Sequence, residues 1–254
     1  MWVLMKVLLL STVAAVVGTG LGGFAGSLIH RNDLKAVSLM LSFAGGLMLS
    51  VVCLELLPEA LLSVRDSGRS GLYRVLLGII CGYGSVGLLS GAVCQGGSGK
   101  RGRLSAMLVS GLVLCAAIAL HNFPEGMVIG SACAIDGESA LGYGLIMAAV
   151  LGLHNIPEGM AVGVSLTSGG MGRAGSVLLA AASGLPSVLG ALLGWYMGSL
   201  SPELLAMSLS FSAGAMLYVV LAELLPEGNS HHSGKAPAAA AFVGVLLGLL
   251  ICRI

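Results

Sequence analysis

The sequence predicts an all-α membrane protein, a single domain over residues 1–254, with eight transmembrane helices arranged as inverted repeats. Three observations predict it. The 254 residues are 57% hydrophobic and only 9% charged, whereas soluble domains carry about a quarter charged residues. The mean hydropathy of +1.01 makes lipid the main solvent. The chain also divides into eight apolar runs of about the 20 residues that cross a bilayer, and two pairs of these runs share long matched segments.

The runs are 7–29, 36–57, 72–94, 104–131, 140–166, 174–200, 206–225 and 236–251. The first follows Lys6 and is longer than the apolar part of a signal peptide, so it reads as a retained span. The last is short and alanine-rich. The connections (HRNDLK, RDSGRS, GKRGR, DGE, GGMGR, SPE and GNSHHSGK) carry most of the charge and leave no room for a sizeable soluble domain. Forty glycines suit close helix packing in lipid. A net charge of +1 gives no electrostatic basis for binding nucleic acid. Cys53, Cys81, Cys94, Cys115, Cys133 and Cys252 form no C-x-x-C pair and read as small buried hydrophobes. With an even number of spans both termini share a side. That side collects five Lys and Arg against seven on the other, where the GKRGR cluster lies. Positive charge favours the cytoplasm, which predicts extracytoplasmic termini in a multi-pass cell-membrane protein.

The repeats are internal and inverted. FAGGLMLSVVCLELLPEA (43–60) aligns without gaps to FSAGAMLYVVLAELLPEG (211–228), with eleven of eighteen positions identical. LHNFPEGMVIG (120–130) aligns to LHNIPEGMAVG (153–163) in the same way. The first pair occupies spans two and seven, the second spans four and five. Each pair differs by an odd number of spans, so its members run in opposite directions. Transporters of this design place their site near the midplane, between the repeats.

Spans four and five carry the chemistry. Glu125 and Glu158 are each the one formally charged residue of their span, and a charge at that depth is costly unless paired. His121 and Glu125 are four apart, as are His154 and Glu158, so each couple shares a helix face. Two such faces on adjacent antiparallel helices can converge on one ion. Two imidazoles and two carboxylates suit Zn²⁺, or Fe²⁺ or Mn²⁺, whereas Ca²⁺ and Mg²⁺ prefer oxygen alone. Pro124 and Pro157 remove a backbone donor from each helix and predict a kink beside each couple. Asn122 and Asn155 either hold a second ion or cross-link helices.

Two further carboxylate pairs, Glu55 with Glu59 and Glu223 with Glu227, flank Pro58 and Pro226 near the ends of spans two and seven. Opposite orientation puts them at opposite membrane faces, where they guide ions in and out or are simply solvated helix ends. His231 and His232 follow the second pair, as a metal relay or as part of a polar loop. His30 reads as interfacial.

At these residues the chain resembles the ZIP (Zrt-/Irt-like) family of metal transporters, and the paired HNxPEG motifs resemble its bacterial zinc-uptake branch. Eight spans and the repeated ELLPE segments extend the likeness over essentially the whole chain. The resemblance implies that His121, Glu125, His154 and Glu158 are the main metal site, and that Asn122 and Asn155, with the bridging glutamates, line a second. It implies transport of zinc, often also of iron, manganese, cobalt or cadmium, toward the cytoplasm, and a homodimer. The metal is then a transported substrate and not a cofactor. One departure weakens the second site: span six reads SGLPSVLGA, with Ser187 where the branch has a glutamate. The loop between spans three and four also lacks the histidine-rich tract of many relatives.

The sequence therefore predicts a carrier of divalent transition metals rather than an enzyme. The rival classes are an intramembrane zinc hydrolase and a metal-binding receptor without flux. HExxH is absent, and the duplicated ligands set no residue apart as a general base.

Overall fold

The structure, a computed structural model, describes residues 1–29, 33–96, 106–136, 142–198, 201–232 and 234–252. Among these residues every regular element is helical. Seven helices are long and apolar enough to cross a membrane: α1 (Trp2–Ser27), α2 (Leu34–Ser63), α3 (Arg65–Ala92), α4 (Met107–Asp136), α5 (Tyr143–Ser168), α6 (Arg173–Met197) and α7 (Pro202–His231). An eighth, α8 (Lys235–Ile251), has 17 residues. At 1.5 Å per residue it reaches about 25 Å, short of a hydrocarbon core of about 30 Å.

Local chemistry fixes where helices begin and loosen. Asp33 caps α2 by accepting from the Ala36 amide at 2.9 Å, and Ser201 caps α7 by accepting from the Leu204 amide at 3.3 Å. Both stand at helix starts that need a side-chain acceptor. Wide π turns at Val52–Leu56 and Val219–Leu224 precede Pro58 and Pro226. A proline has no amide to give and its ring crowds the carbonyl four residues back, and a π turn absorbs that mismatch. Pro124 and Pro157, by contrast, lie inside helices that continue through them.

The helices pack in matching couples. α4 lies along α6 and α5 along α1, while α2 pairs with α8 and α7 with α3. α4 and α5 also touch each other. Glycines set the closest approaches. Gly126 of α4 sits on the carbonyl of Ser187, and Gly159 of α5 sits on that of Thr19. A Cβ at either position would overlap the neighbouring backbone, so only glycine fits. The sequence offset that aligns 43–60 with 211–228 also carries Thr19 onto Ser187 and Asp33 onto Ser201.

Large apolar side chains such as Leu88 and Leu178 face outward, as in a protein solvated by lipid. The interior is a continuous apolar cluster that includes Leu47, Ile118, Leu166 and Met216. The cysteines are a partial correction. Cys115 and Cys133 are buried, but Cys53 and Cys81 are exposed and Cys252 is half-buried. An outer surface facing lipid accepts a thiol as readily as a core does. The Cys94 side chain, His30 and the basic cluster at 100–103 lie outside the described residues.

Candidate metal centre

α4 and α5 bring the two HNxPEG motifs together in the interior. His121, Asn122, Glu125, His154, Asn155 and Glu158 are each at most 2% exposed. The contacts cross between the helices. His121 Nε2 lies 3.1 Å from Glu158 Oε1, and His154 Nε2 lies 3.4 Å from Glu125 Oε1. These are ion-pair distances without hydrogen-bond alignment. Every ring nitrogen and carboxylate oxygen of the four residues is buried with no hydrogen-bond partner. Buried polar groups are nearly always bonded, and a carboxylate in such a place costs several kcal/mol unless compensated. Among the described residues, no group of three or more His, Cys, Asp and Glu side chains is poised to hold a metal ion as it stands. These four close as two separate imidazole–carboxylate couples. Their donor set, two nitrogens and two carboxylates, is one that a divalent transition ion satisfies.

The asparagines make the cross-links that the sequence offered as one alternative. Asn122 donates to the Ser183 carbonyl of α6, and Asn155 donates to the Ala14 carbonyl of α1, both at 3.1 Å. The amide oxygen of each is buried without a partner. Ser187 is buried on α6, its carbonyl against Gly126, the residue after Glu125. Ser212 of α7 donates to the His121 carbonyl at 3.0 Å and ties the centre to the other helix set. Thr19 is the counterpart of Ser187, and its hydroxyl donates to the Ala15 carbonyl at 2.8 Å. Nothing marks a single hydroxyl in an apolar span, so the repeat offset is the signal that finds Thr19.

The two outer glutamate pairs differ in surroundings. Glu55 and Glu59 line a cavity of about 180 Å³ that also includes Glu125, Tyr143 and Met147. This cavity therefore reaches from the first pair to a carboxylate of the central four. The Cys252 thiol donates to Glu55 at 3.6 Å. In the second pair Glu223 accepts from Ser110 at 2.9 Å and from Ser90 at 3.3 Å. His231 Nε2 lies 3.0 Å from Glu227 and 3.0 Å from the Met107 sulfur. His232 ends the helix in an extended conformation. Sequence reasoning missed Cys252, Ser90, Ser110 and Met107, because each acts only through a glutamate or histidine on another helix. It also missed the ion pair of Lys6 with Asp136 at 3.5 Å, which joins α1 to α4. Asp136 further accepts the amides of Tyr143 and Gly144 and so anchors the start of α5.

Comparison with known proteins places this arrangement in a family. Residues 91–253 match the family model described as ZIP Zinc transporter. The chain is 31% identical over 251 residues to the protein named Zinc transporter ZupT of Shigella flexneri, covering 97% of this chain and 95% of that protein. It is 32% identical, with the same coverage, to Zinc transporter ZupT of Salmonella newport strain SL254. A chain of apolar helices, matched over 97% of its length at this level, belongs to the ZIP zinc transporter family.

Proposed function

We propose that this chain carries Zn²⁺ across the membrane through the His121, Glu125, His154 and Glu158 centre, and that the ion moves toward the cytoplasm. Family membership makes it a transporter of divalent metal and not an enzyme. The observation that carries the intramembrane site is the set of buried nitrogens and oxygens on four side chains, all without hydrogen-bond partners. An ion entering between α4 and α5 would exchange the two imidazole–carboxylate contacts for four ligand bonds. Its charge would offset that of Glu125 and Glu158.

The path follows from the inverted repeats. Eight spans, with α8 completing the set, put the Glu55 pair and the Glu223 pair at opposite faces. The ion passes Glu59 and Glu55, binds at the centre, and leaves past Glu223, Glu227 and His231. Asn122 and Asn155 offer amide oxygens to a second ion, weakened because Ser187 brings no charge. Termini outside the cytoplasm and a homodimer complete the proposal, to be checked by labelling of terminal tags on intact cells and by crosslinking in the membrane.

Uptake of radiolabelled zinc into vesicles tests the centre. Glu125→Ala and His154→Ala should each abolish uptake while the protein still elutes as a folded species. Wild-type uptake by either variant would overturn the assignment.

A further inference from the structure

We infer that Met107, Glu227 and His231 form a separate binding site for a thiophilic divalent cation, Zn²⁺ or Cd²⁺, at the mouth beyond Glu223. The inference rests on the transport reading for its role but on its own geometry for its existence. Three kinds of donor converge there from two helices. His231 Nε2 is 3.0 Å from a Glu227 carboxylate oxygen and 3.0 Å from the Met107 sulfur. Met107 is buried at 8% exposed, while the His231 and Glu227 side chains are 20% and 24% exposed, so water reaches one side.

A hydrogen-bond account of this cluster is incomplete. Nε2 carries at most one proton, and a thioether has none to give and accepts weakly. One N–H cannot point well at both the carboxylate and the sulfur. A cation seated among the three takes a lone pair from each: imidazole nitrogen, carboxylate oxygen and thioether sulfur. Sulfur ligands favour the softer ions, and imidazole suits zinc.

Position agrees with this chemistry. Met107 and Ser110 are three apart on α4, and Glu223 and Glu227 are four apart on α7, so each couple shares a face. Ser110 already bonds Glu223. Met107 with Glu227 and His231 is thus the next rung, about one helical turn or 5 Å further out. An ion leaving Glu223 meets it directly. The fold does not require these residues. At the opposite mouth, the repeat offsets place Ser63 at the position of His231 and Ala140 at that of Met107. The Glu227–His231 couple alone would be an ordinary helix-surface pair; the thioether brought from α4 sets this cluster apart.

The test is Cd²⁺ binding by the full chain in detergent, with the central site disabled by Glu125→Gln and His154→Gln. That background should retain a Cd²⁺ site. Adding Met107→Leu or His231→Ala should weaken it about tenfold, and Met107→Cys should restore it. Unchanged Cd²⁺ affinity in both added variants would overturn the site. If the double-glutamine background does not fold, the same variants in the otherwise unaltered chain should each weaken one Cd²⁺ binding step about tenfold; unchanged affinity at every step overturns the site equally. Failure of the central reading is distinguishable, because the background would then bind as many ions as the wild type.

Discussion

The two carboxylate ends of the inverted repeat start from one template and are finished differently. Each offers a glutamate pair four residues apart, a proline between them and a π turn just before. The glutamate nearer the centre receives a side-chain donor from the helix packed alongside. Ser90 serves Glu223 and Cys252 serves Glu55. The offset that brings Gly82 against Phe211 and Gly244 against Phe43 also carries Ser90 onto Cys252. Beyond that rung the match ends. Ser110 bonds Glu223, whereas its counterpart Tyr143 lines the cavity beside Glu55. His231 and Met107 close on Glu227, whereas the position equivalent to His231 is Ser63, which bonds the backbone of Glu59. Duplication supplies the same carboxylate pair to both repeats. Divergence at the flanking positions gives each pair its own set of partners.

The strongest way to break the comparison is to remove one glutamate at a time. Glu55→Gln and Glu223→Gln should each lower zinc uptake by about a hundredfold, as loss of a group on the metal path does. If Glu223→Gln transports normally while Glu55→Gln does not, the mouths are not equivalent parts of one path. Where the halves do match, variants should match too. Gly126→Ala and Gly159→Ala push a Cβ into the Ser187 and Thr19 carbonyls. Each should destabilise the protein by about 2 kcal/mol, read as a lowered unfolding midpoint in detergent. A large difference between the two would show that the halves are packed less alike than their contacts indicate.

Much of this was legible in the sequence, for physical reasons that also define what was not. Spans and repeats were readable because lipid demands long apolar runs and because E, H and P are rare enough in them for a duplicated pattern to stand out. The expectation for His121, Glu125, His154 and Glu158 rested on i, i+4 spacing, on carboxylates inside apolar spans and on the family resemblance. The cross pairing of His121 with Glu158 depends on how α4 and α5 are set against each other, which one chain segment does not state. Ser90, Ser110 and Cys252 were illegible for a related reason. A hydroxyl or thiol in an apolar span has no local pattern, and its partner lies on another helix. The helix at Lys235–Ile251 shows the limit in the other direction: composition counted it as an eighth span, but its 17 residues fall short of a membrane crossing.

A smaller effect sharpens the difference at one mouth. Asp136 joins α4 to Lys6 of α1 and to the Tyr143 and Gly144 amides of α5. The repeat offset places Gly169, which has no side-chain carboxylate, at its counterpart. Asp136→Asn loses the charge opposite Lys6 and should cost about 1 kcal/mol of stability. Hydrogen exchange should then rise at the start of α5 and not at the start of α4. Equal exchange at both ends would show that the brace is not specific to its mouth.

The smallest effect concerns the Cys252 thiol. Burial, and then the nearby Glu55 carboxylate, push it up to about 11, so at neutral pH it is protonated and donates to Glu55. A thiol is a weak donor, and its loss should be felt only as loosened placement of that carboxylate. Cys252→Ala should raise the KM for zinc about threefold with kcat unchanged, a loss of about 0.6 kcal/mol at the first contact, within the range of a single weak hydrogen bond. Cys252→Ser, which copies Ser90 of the other mouth, should keep wild-type KM because a hydroxyl donates at least as well. Alkylation of Cys252 should stay slow at neutral pH, because burial and the Glu55 carboxylate favour the protonated thiol and the thiolate is the reactive form. If Cys252→Ser raises KM as much as Cys252→Ala does, sulfur itself is required there, and the two mouths differ in ligand chemistry at the first rung as well as the second.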